Sequence, residues 1–464
     1  MSSSIVTTTG RQDRASFTSA RKVVVLTLGT LMLSACVEAL WSASYSEEGA
    51  DGTLANFVVP GPGDSVLLAG DVILPGDPET FLLRGDPFIA RHSAQGELLW
   101  RYRPQDGTSF VGATSLDTAP DGSIYFTDMR EQHLVLTKLD ADGNRLWEYR
   151  RPQEDDLFNP ALALLAKTVG TDLVLMGVTR QAEAAEPPGT LLALDQKGRV
   201  LWEFNGIGGG IGGATFDQSI RFTAGILGDG RIATFYSWSE WDAAGRGGGM
   251  ITVLDTAGNA LATVDQTTLG LNRIFDLAAA GENIAVVGRT EQGSRLLVLG
   301  RDMDVLLQRD FGASNAARLA TQGDTLCFAL LTVNDPVTDL VERGSTTLGI
   351  IDRNGRANWE TTLTDYNSRS ASLTADHHRC AYSDMTLQPP DGYQDASRIQ
   401  TRTLIYSAQG VLDSVTVPGD PGIANVGHAL LRGQALYTAA STTQPLSEYL
   451  EQTPTATLYK HRVY

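Results

Sequence analysis

Asp376, His377, His378 and Cys380 are the densest group of metal-capable side chains in the sequence. A structural metal site needs three or four such groups converging on one point. These stand between two strand-like runs, where a short solvated turn is expected, so no metal is assigned. Asp140-Ala141-Asp142-Gly143-Asn144 starts like a calcium loop, which then requires Gly at its sixth position and Glu at its twelfth. Arg145 and Arg151 stand there, so a plain turn is the better reading. Gly208 to Gly213 has the spacing of a dinucleotide fingerprint, but it opens no helix and lies in no βαβ unit. There is no nucleophile elbow, zinc-protease helix or haem-attachment motif. No catalytic residue and no cofactor is expected.

Two further sets have chemical potential. Arginine recurs near the start of four strand-like runs, at Arg221, Arg273, Arg318 and Arg369. If these converge, they form a candidate ligand site for a carboxylate or phosphate held by bidentate hydrogen bonds. Alternatively each pairs with an acidic neighbour such as Asp217 or Asp276 and only closes the structure. Cys327 and Cys380 are a candidate disulfide if their Cα atoms lie within about 7 Å; otherwise they are two buried thiols.

Charge narrows the partners. The 464-residue chain carries a formal net charge of −18 and only five lysines. Arg11, Arg14, Arg21, Lys22 and Asp13 all precede Cys36, so the remainder is near −18 − 3 = −21. An acidic surface without a basic patch excludes nucleic-acid binding.

Residues 1–35 read as a processing segment. The basic stretch is followed by a short apolar run, Val23 to Leu33, and then by Leu33-Ser34-Ala35-Cys36. This resembles a bacterial lipoprotein signal peptide, in which the cysteine becomes the acylated N-terminus. The resemblance implies lipidation of Cys36, export to the cell envelope and attachment to a membrane by buried acyl chains. Val37 is not the Asp that retains enterobacterial lipoproteins at the inner membrane, which favours the outer membrane.

The elements that must carry these residues follow from an internal repeat. Residues 135–150, VLTKLDADGNRLWEYR, run strand, Gly-containing turn, strand with Trp. The pattern returns at 88–103, 191–205, 250–265, 296–311, 348–363 and 404–415, with Trp100, Trp202 and Trp359 in register. Ala262 and Leu307 replace the Trp in two copies, and Met303 replaces the Gly in one. Turns spaced 45 to 60 residues apart, with two more strand-like runs in each interval, give four antiparallel strands per unit. The chain ends on ATLYKHRVY, a strand lacking its partner, and Ala39 to Tyr45 supplies one. The expected fold is all-β: an eight-bladed β-propeller over residues 36–464, closed by the strand after Cys36. The tryptophans are expected to wedge between blades.

The repeat resembles the PQQ-like propeller repeat, with its turn Gly and following Trp. Eight such repeats behind a lipobox resemble the propeller lipoproteins of the outer-membrane barrel-assembly machinery. That resemblance implies a membrane-tethered, non-catalytic scaffold that docks another envelope protein. Quinoprotein dehydrogenases of this fold carry a vicinal Cys pair, which is absent here, so no quinone is expected. Two other functions remain open from the residues alone: a channel that binds a small anion or polysaccharide, and an enzyme with residues scattered over loops. Long loops at 181–189, 239–248, 334–345, 386–399 and 441–454 are expected on one face, pointing away from the bilayer, with short turns on the other.

Overall fold

The computed structural model describes residues 38–47, 49–74, 84–104, 111–130, 133–152, 162–179, 189–205, 208–209, 224–239, 247–314, 316–323, 325–336, 342–352, 357–367, 371–387, 399–418, 428–443 and 454–463. Cys36, Arg221 and Arg369 lie outside them.

β1 (Glu38–Tyr45) precedes the first complete blade, which is β2 (Gly52–Pro60), β3 (Val66–Leu74), β4 (Arg84–His92) and β5 (Leu98–Tyr102). Blade 2 is β6 (Val111–Thr118), β7 (Ile124–Arg130), β8 (His133–Leu139) and β9 (Arg145–Pro152). Blade 3 is β10 (Leu162–Val169), β11 (Leu173–Thr179), β12 (Gly189–Asp195) and β13 (Val200–Asn205). Blade 4 departs from the four-strand expectation. Its innermost position is shared by β14 (Gly208–Gly209), parallel to β16 (Ile232–Ser239), and β15 (Ala224–Ile226), antiparallel to it. β17 (Gly247–Leu254) and β18 (Ala260–Asp265) complete that sheet.

Blade 5 is β19 (Arg273–Ala280), β20 (Asn283–Arg289), β21 (Ser294–Leu299) and β22 (Val305–Phe311). Blade 6 is β23 (Ala316–Gln322), β24 (Thr325–Pro336), β25 (Glu342–Ile351) and β26 (Ala357–Asn367). Blade 7 is β27 (Ser372–Asp376), β28 (Arg379–Leu387), β29 (Ile399–Ser407) and β30 (Gly410–Pro418). Blade 8 is β31 (His428–Arg432), β32 (Ala435–Thr443) and β33 (Pro454–Arg462), with β1 as its outer strand. Glu38 pairs with Arg462 and Tyr45 with Ala456, so the two chain ends close the ring in one sheet.

The core lies between blades, not within one centre. Eight apolar clusters each draw residues from two successive blades, and the last joins blade 8 to blade 1 through Tyr45, Val58, Phe88, Tyr437 and Leu458. Each middle strand is therefore covered on both sides and reads as a continuous apolar run; β7 is buried throughout. Outer strands meet a neighbour on one side only, and β13 and β18 alternate between exposed and half-buried positions.

Antiparallel order sorts the connections onto two faces. The turns between first and second strands and between third and fourth strands share one face, here the turn face. The strand ends that flank the remaining connections lie on the other, the loop face; the five long loops expected there fall largely outside the described residues. β1 begins at the turn face.

Candidate functional site

The repeated tryptophans and turn glycines form one structural device. Trp41, Trp100, Trp147 and Trp202 each stand on an outer strand and donate their indole N–H to a turn carbonyl of the next blade. The acceptors are Ala94, Ala141, Gln196 and Thr256, at 3.2, 2.9, 2.8 and 3.0 Å. Each indole covers the glycine of that turn. A Cβ on Gly96, Gly143, Gly198 or Gly258 would come within 2.6 to 3.0 Å of the ring. The tryptophans are thus spent on inter-blade packing. At one seam the Trp and the glycine it would cover are lost together. Blade 4 carries Ala262, and the facing turn in blade 5 carries Met303 at φ 64 instead of glycine. Met303 is buried in the cluster against which Ala262 packs, so its side chain takes over filling that seam. Blade 8 has no such turn, being built from two chain ends, and the residue of blade 7 in the Trp register is Asp413.

Of the four arginines, the described residues hold two. Arg318 is among the most buried side chains of the chain. It donates Nε to the Ala371 carbonyl at the start of blade 7 (2.9 Å) and Nη1 to Ala317 (2.8 Å). Asp276 works in the same way one blade earlier, accepting the Leu319 amide of blade 6 at 2.9 Å. Arg318 and Asp276 therefore tie successive inner strands together. Arg273 is half-buried, with its guanidinium 5.8 Å from the centre of the Phe275 ring.

Cys327 on β24 and Cys380 on β28 form a disulfide between blades 6 and 7, with Cα atoms 6.1 Å apart. Asp376, His377 and His378 make the adjacent turn. Asp376 accepts the Gly433 amide of blade 8 at 2.6 Å, and His377 N–H donates to Gln322 of blade 6 at 2.8 Å. Among the described residues no three His, Cys, Asp or Glu side chains are gathered for a metal.

Two buried charge networks were not anticipated from sequence. In blade 2, Arg130 is wholly buried and donates to Asp128 (3.1 Å), Thr137 (3.1 Å) and Glu148 (2.8 Å). Burial pushes the Asp128 carboxyl up to about 7 against the pull of Arg130. Burial also works against Glu148, yet the hydrogen bond and charge of Arg130 hold its carboxyl below the usual range. Glu148 is therefore the principal counter-charge. In blade 7, Arg402 holds the buried Asp384 through two bonds of 3.1 and 2.8 Å. The only sequence signal was Asp followed by Met at one place in two second strands, Asp128-Met129 and Asp384-Met385. Both networks underlie the loop face.

A pocket of about 500 Å³ opens at the loop face beside the closing blade, lined by Tyr45, Glu47, Asp86, Arg101, Tyr102 and Arg103. Arg103 bonds Asp86 at 2.8 Å and lies 3.3 Å from Glu47, while Tyr45 donates to Glu47 at 2.9 Å. Burial, then the bond to Glu47, pushes the Tyr45 hydroxyl up to about 12. Its carboxylates are matched to guanidinium groups, so the pocket offers polar recognition.

The WD40 domain of SCAP from fission yeast is 7% identical, with 91% of this chain and 98% of that chain covered, at a TM-score of 0.47. Virginiamycin B lyase from Staphylococcus aureus is 10% identical, with 74% and 95% covered, at a TM-score of 0.42. Values of this size carry no argument about activity. No curated protein sequence matches the chain. Residues 38–218, which hold β1 and the first three blades, match the family model described as outer membrane protein assembly factor BamB. With that match and eight blades in a closed ring, the chain is a propeller of PQQ-like repeats.

Proposed function

We propose that this chain is a lipid-anchored propeller of the bacterial cell envelope that docks another envelope protein on its loop face, without catalysis of its own. The observation that carries the reading is the placement of β1. Cys36 precedes Glu38 by two residues, and Glu38 starts the outer strand of the closing blade at the turn face. Acyl chains on Cys36 would hold that face towards the bilayer and present the loop face outwards. Long loops on a rigid ring are where binding residues concentrate. The family match supports an envelope scaffold, and the outer membrane is the favoured site.

The scaffold reading is also supported by how the conspicuous residues are used. Indoles, Arg318, Asp376 and both cysteines are engaged in joining blades. The reading is tested by the intact mass of protein extracted from membranes, followed by affinity capture. An acylated N-terminal Cys36, with one envelope protein recovered in stoichiometric amount, is expected. A chain that keeps residues 1–35, or is recovered alone with a small molecule, overturns it.

A further inference from the structure

Every outer strand of the ring carries a β-bulge at the same register. In blade 2, Lys138 pairs with Trp147 and Leu139 with Arg145, leaving Leu146 without a partner in the ladder. The equivalent unpaired residues are Leu99, Leu201, Leu261, Leu306, Asn358, Leu412 and Leu40 in blades 1, 3, 4, 5, 6, 7 and 8. Seven of these eight positions are leucine. A bulge turns its extra side chain out of the pleat. Leu99, Leu146, Leu201, Leu261 and Leu306 are 48% to 56% exposed, and Leu98, Val200 and Val305 beside them are exposed as well. In blades 1 to 5 this leucine stands clear of the inter-blade core, so folding does not explain its recurrence there; Leu412 packs against the core between blades 7 and 8, and Leu40 is half-buried. Exposed apolar patches of this kind mark interaction surfaces.

We propose that this ring of bulge leucines is a membrane-contact rim, which seats the propeller on the lipid surface around its anchor. The inference rests on the lipid-anchor reading above. Three features choose a bilayer as the occupant. All eight outer strands begin at the turn face, so the bulge positions share one level, just below the turns. A docked protein would cover a compact part of a perimeter, whereas the exposed leucines run through five consecutive blades and exposed Val411 adds a sixth. Cys36 is four residues before Leu40, and four residues span at most about 14 Å, so the acyl chains enter beside this rim. Three carboxylates of the neighbouring turns are engaged by their own backbone: Asp140, Asp195 and Asp255 each accept amides of their own turn at 2.8 to 3.0 Å, while Glu97, Asp142, Asp302 and Asp304 stand exposed. Apolar side chains flanked by polar turns fit the headgroup–acyl boundary.

The test uses the lipidated protein, extracted from membranes and reconstituted in vesicles with brominated acyl chains. A polarity-sensitive fluorophore is placed singly by Leu99→Cys, Leu201→Cys, Leu306→Cys and, at the loop-face end of β30, Pro418→Cys. Insertion of the rim into the outer part of the acyl region predicts at least about twofold stronger bromolipid quenching at the three leucine sites than at Pro418. The mass of the same sample reports acylation of Cys36. Lack of the acyl mass overturns the anchor reading and this inference with it. Acylated protein whose leucine labels are no more quenched than Pro418 overturns this inference alone. Labels shielded from aqueous iodide without bromolipid quenching assign the ring to a protein partner, and overturn it too.

Discussion

Gly143→Ala isolates the device that joins the blades. Gly143 has φ 83, a conformation that costs an L-residue about 1 kcal/mol. Its new Cβ would lie 2.6 Å from Cδ2 and 2.8 Å from Cε3 of Trp100, atoms of a rigid ring. The indole must shift, and the 2.9 Å bond from Trp100 to Ala141 breaks with it. Overpacking and the lost bond add about 2 kcal/mol, for a total near 3 kcal/mol. Trp100→Ala alone removes a half-buried indole and costs about 3 kcal/mol. In that background the methyl added by Gly143→Ala no longer meets the indole, so only the backbone part, about 1 kcal/mol, remains. A double-mutant cycle measured by urea unfolding of residues 37–464 should therefore give a coupling near 2 kcal/mol. The midpoints should move at constant slope. Additivity within about 0.5 kcal/mol would show that Gly143 serves only its turn and that the indole does not rest on it.

Other outcomes follow from the same geometry. Ala262→Trp should destabilise by about 2 kcal/mol because Met303 fills the seam, and adding Met303→Gly should recover most of the loss; failure of the pair to rescue would separate these two positions. The disulfide closes a loop with a sequence separation of 53, so Cys327→Ala with Cys380→Ala should cost about 4 kcal/mol in chemical unfolding, and an unchanged midpoint would count against the bridge. With its carboxyl raised from 3.8 to about 7, Asp128 binds a proton in the folded state that the unfolded chain releases, so its contribution is full below pH 4 and is lost as pH rises through 7. Asp128→Asn should flatten that decline, as read from unfolding free energies at pH 5 and 7.5. Glu148→Gln should be the more damaging change at pH 7.5, by about 3 kcal/mol, because it leaves Arg130 buried without its main counter-charge.

The ring was legible because a tandem repeat states its signal once per blade. Gly143 and Trp147 recur at fixed offsets, and the lone strand at the C-terminus called for a partner that Ala39 to Tyr45 supplies. The signal faded where its two halves changed together, at Ala262 and Met303, since each looks degenerate until the facing blade is known. Arg221 is expected near the start of the innermost strand of blade 4; it lies outside the described residues, and the described strand that follows is β15, three residues long, helped by β14. Arg130, Asp128 and Arg318 could not be read as interior groups. A charged residue in a strand suggests exposure, and only the neighbouring blade or strand reveals the partner that permits burial. The bulge leucines were visible as letters, but the offset that turns them outwards is a property of strand pairing. For the cysteines, a register error of one residue would have pointed a side chain to the opposite face, so spacing alone left the bridge open.

Site-specific photo-crosslinking in intact cells tests the central proposal most directly. The crosslinking residue is placed on the loop face at Glu342, Leu387 or Pro418, and on the turn face at Gln95 or Lys197. A discrete adduct with one envelope protein from the loop-face positions is predicted, absent from the turn-face positions and lost in Cys36→Ser. Equal adducts from both faces, or an unchanged pattern in Cys36→Ser, would contradict a tethered propeller that presents its loops to a partner.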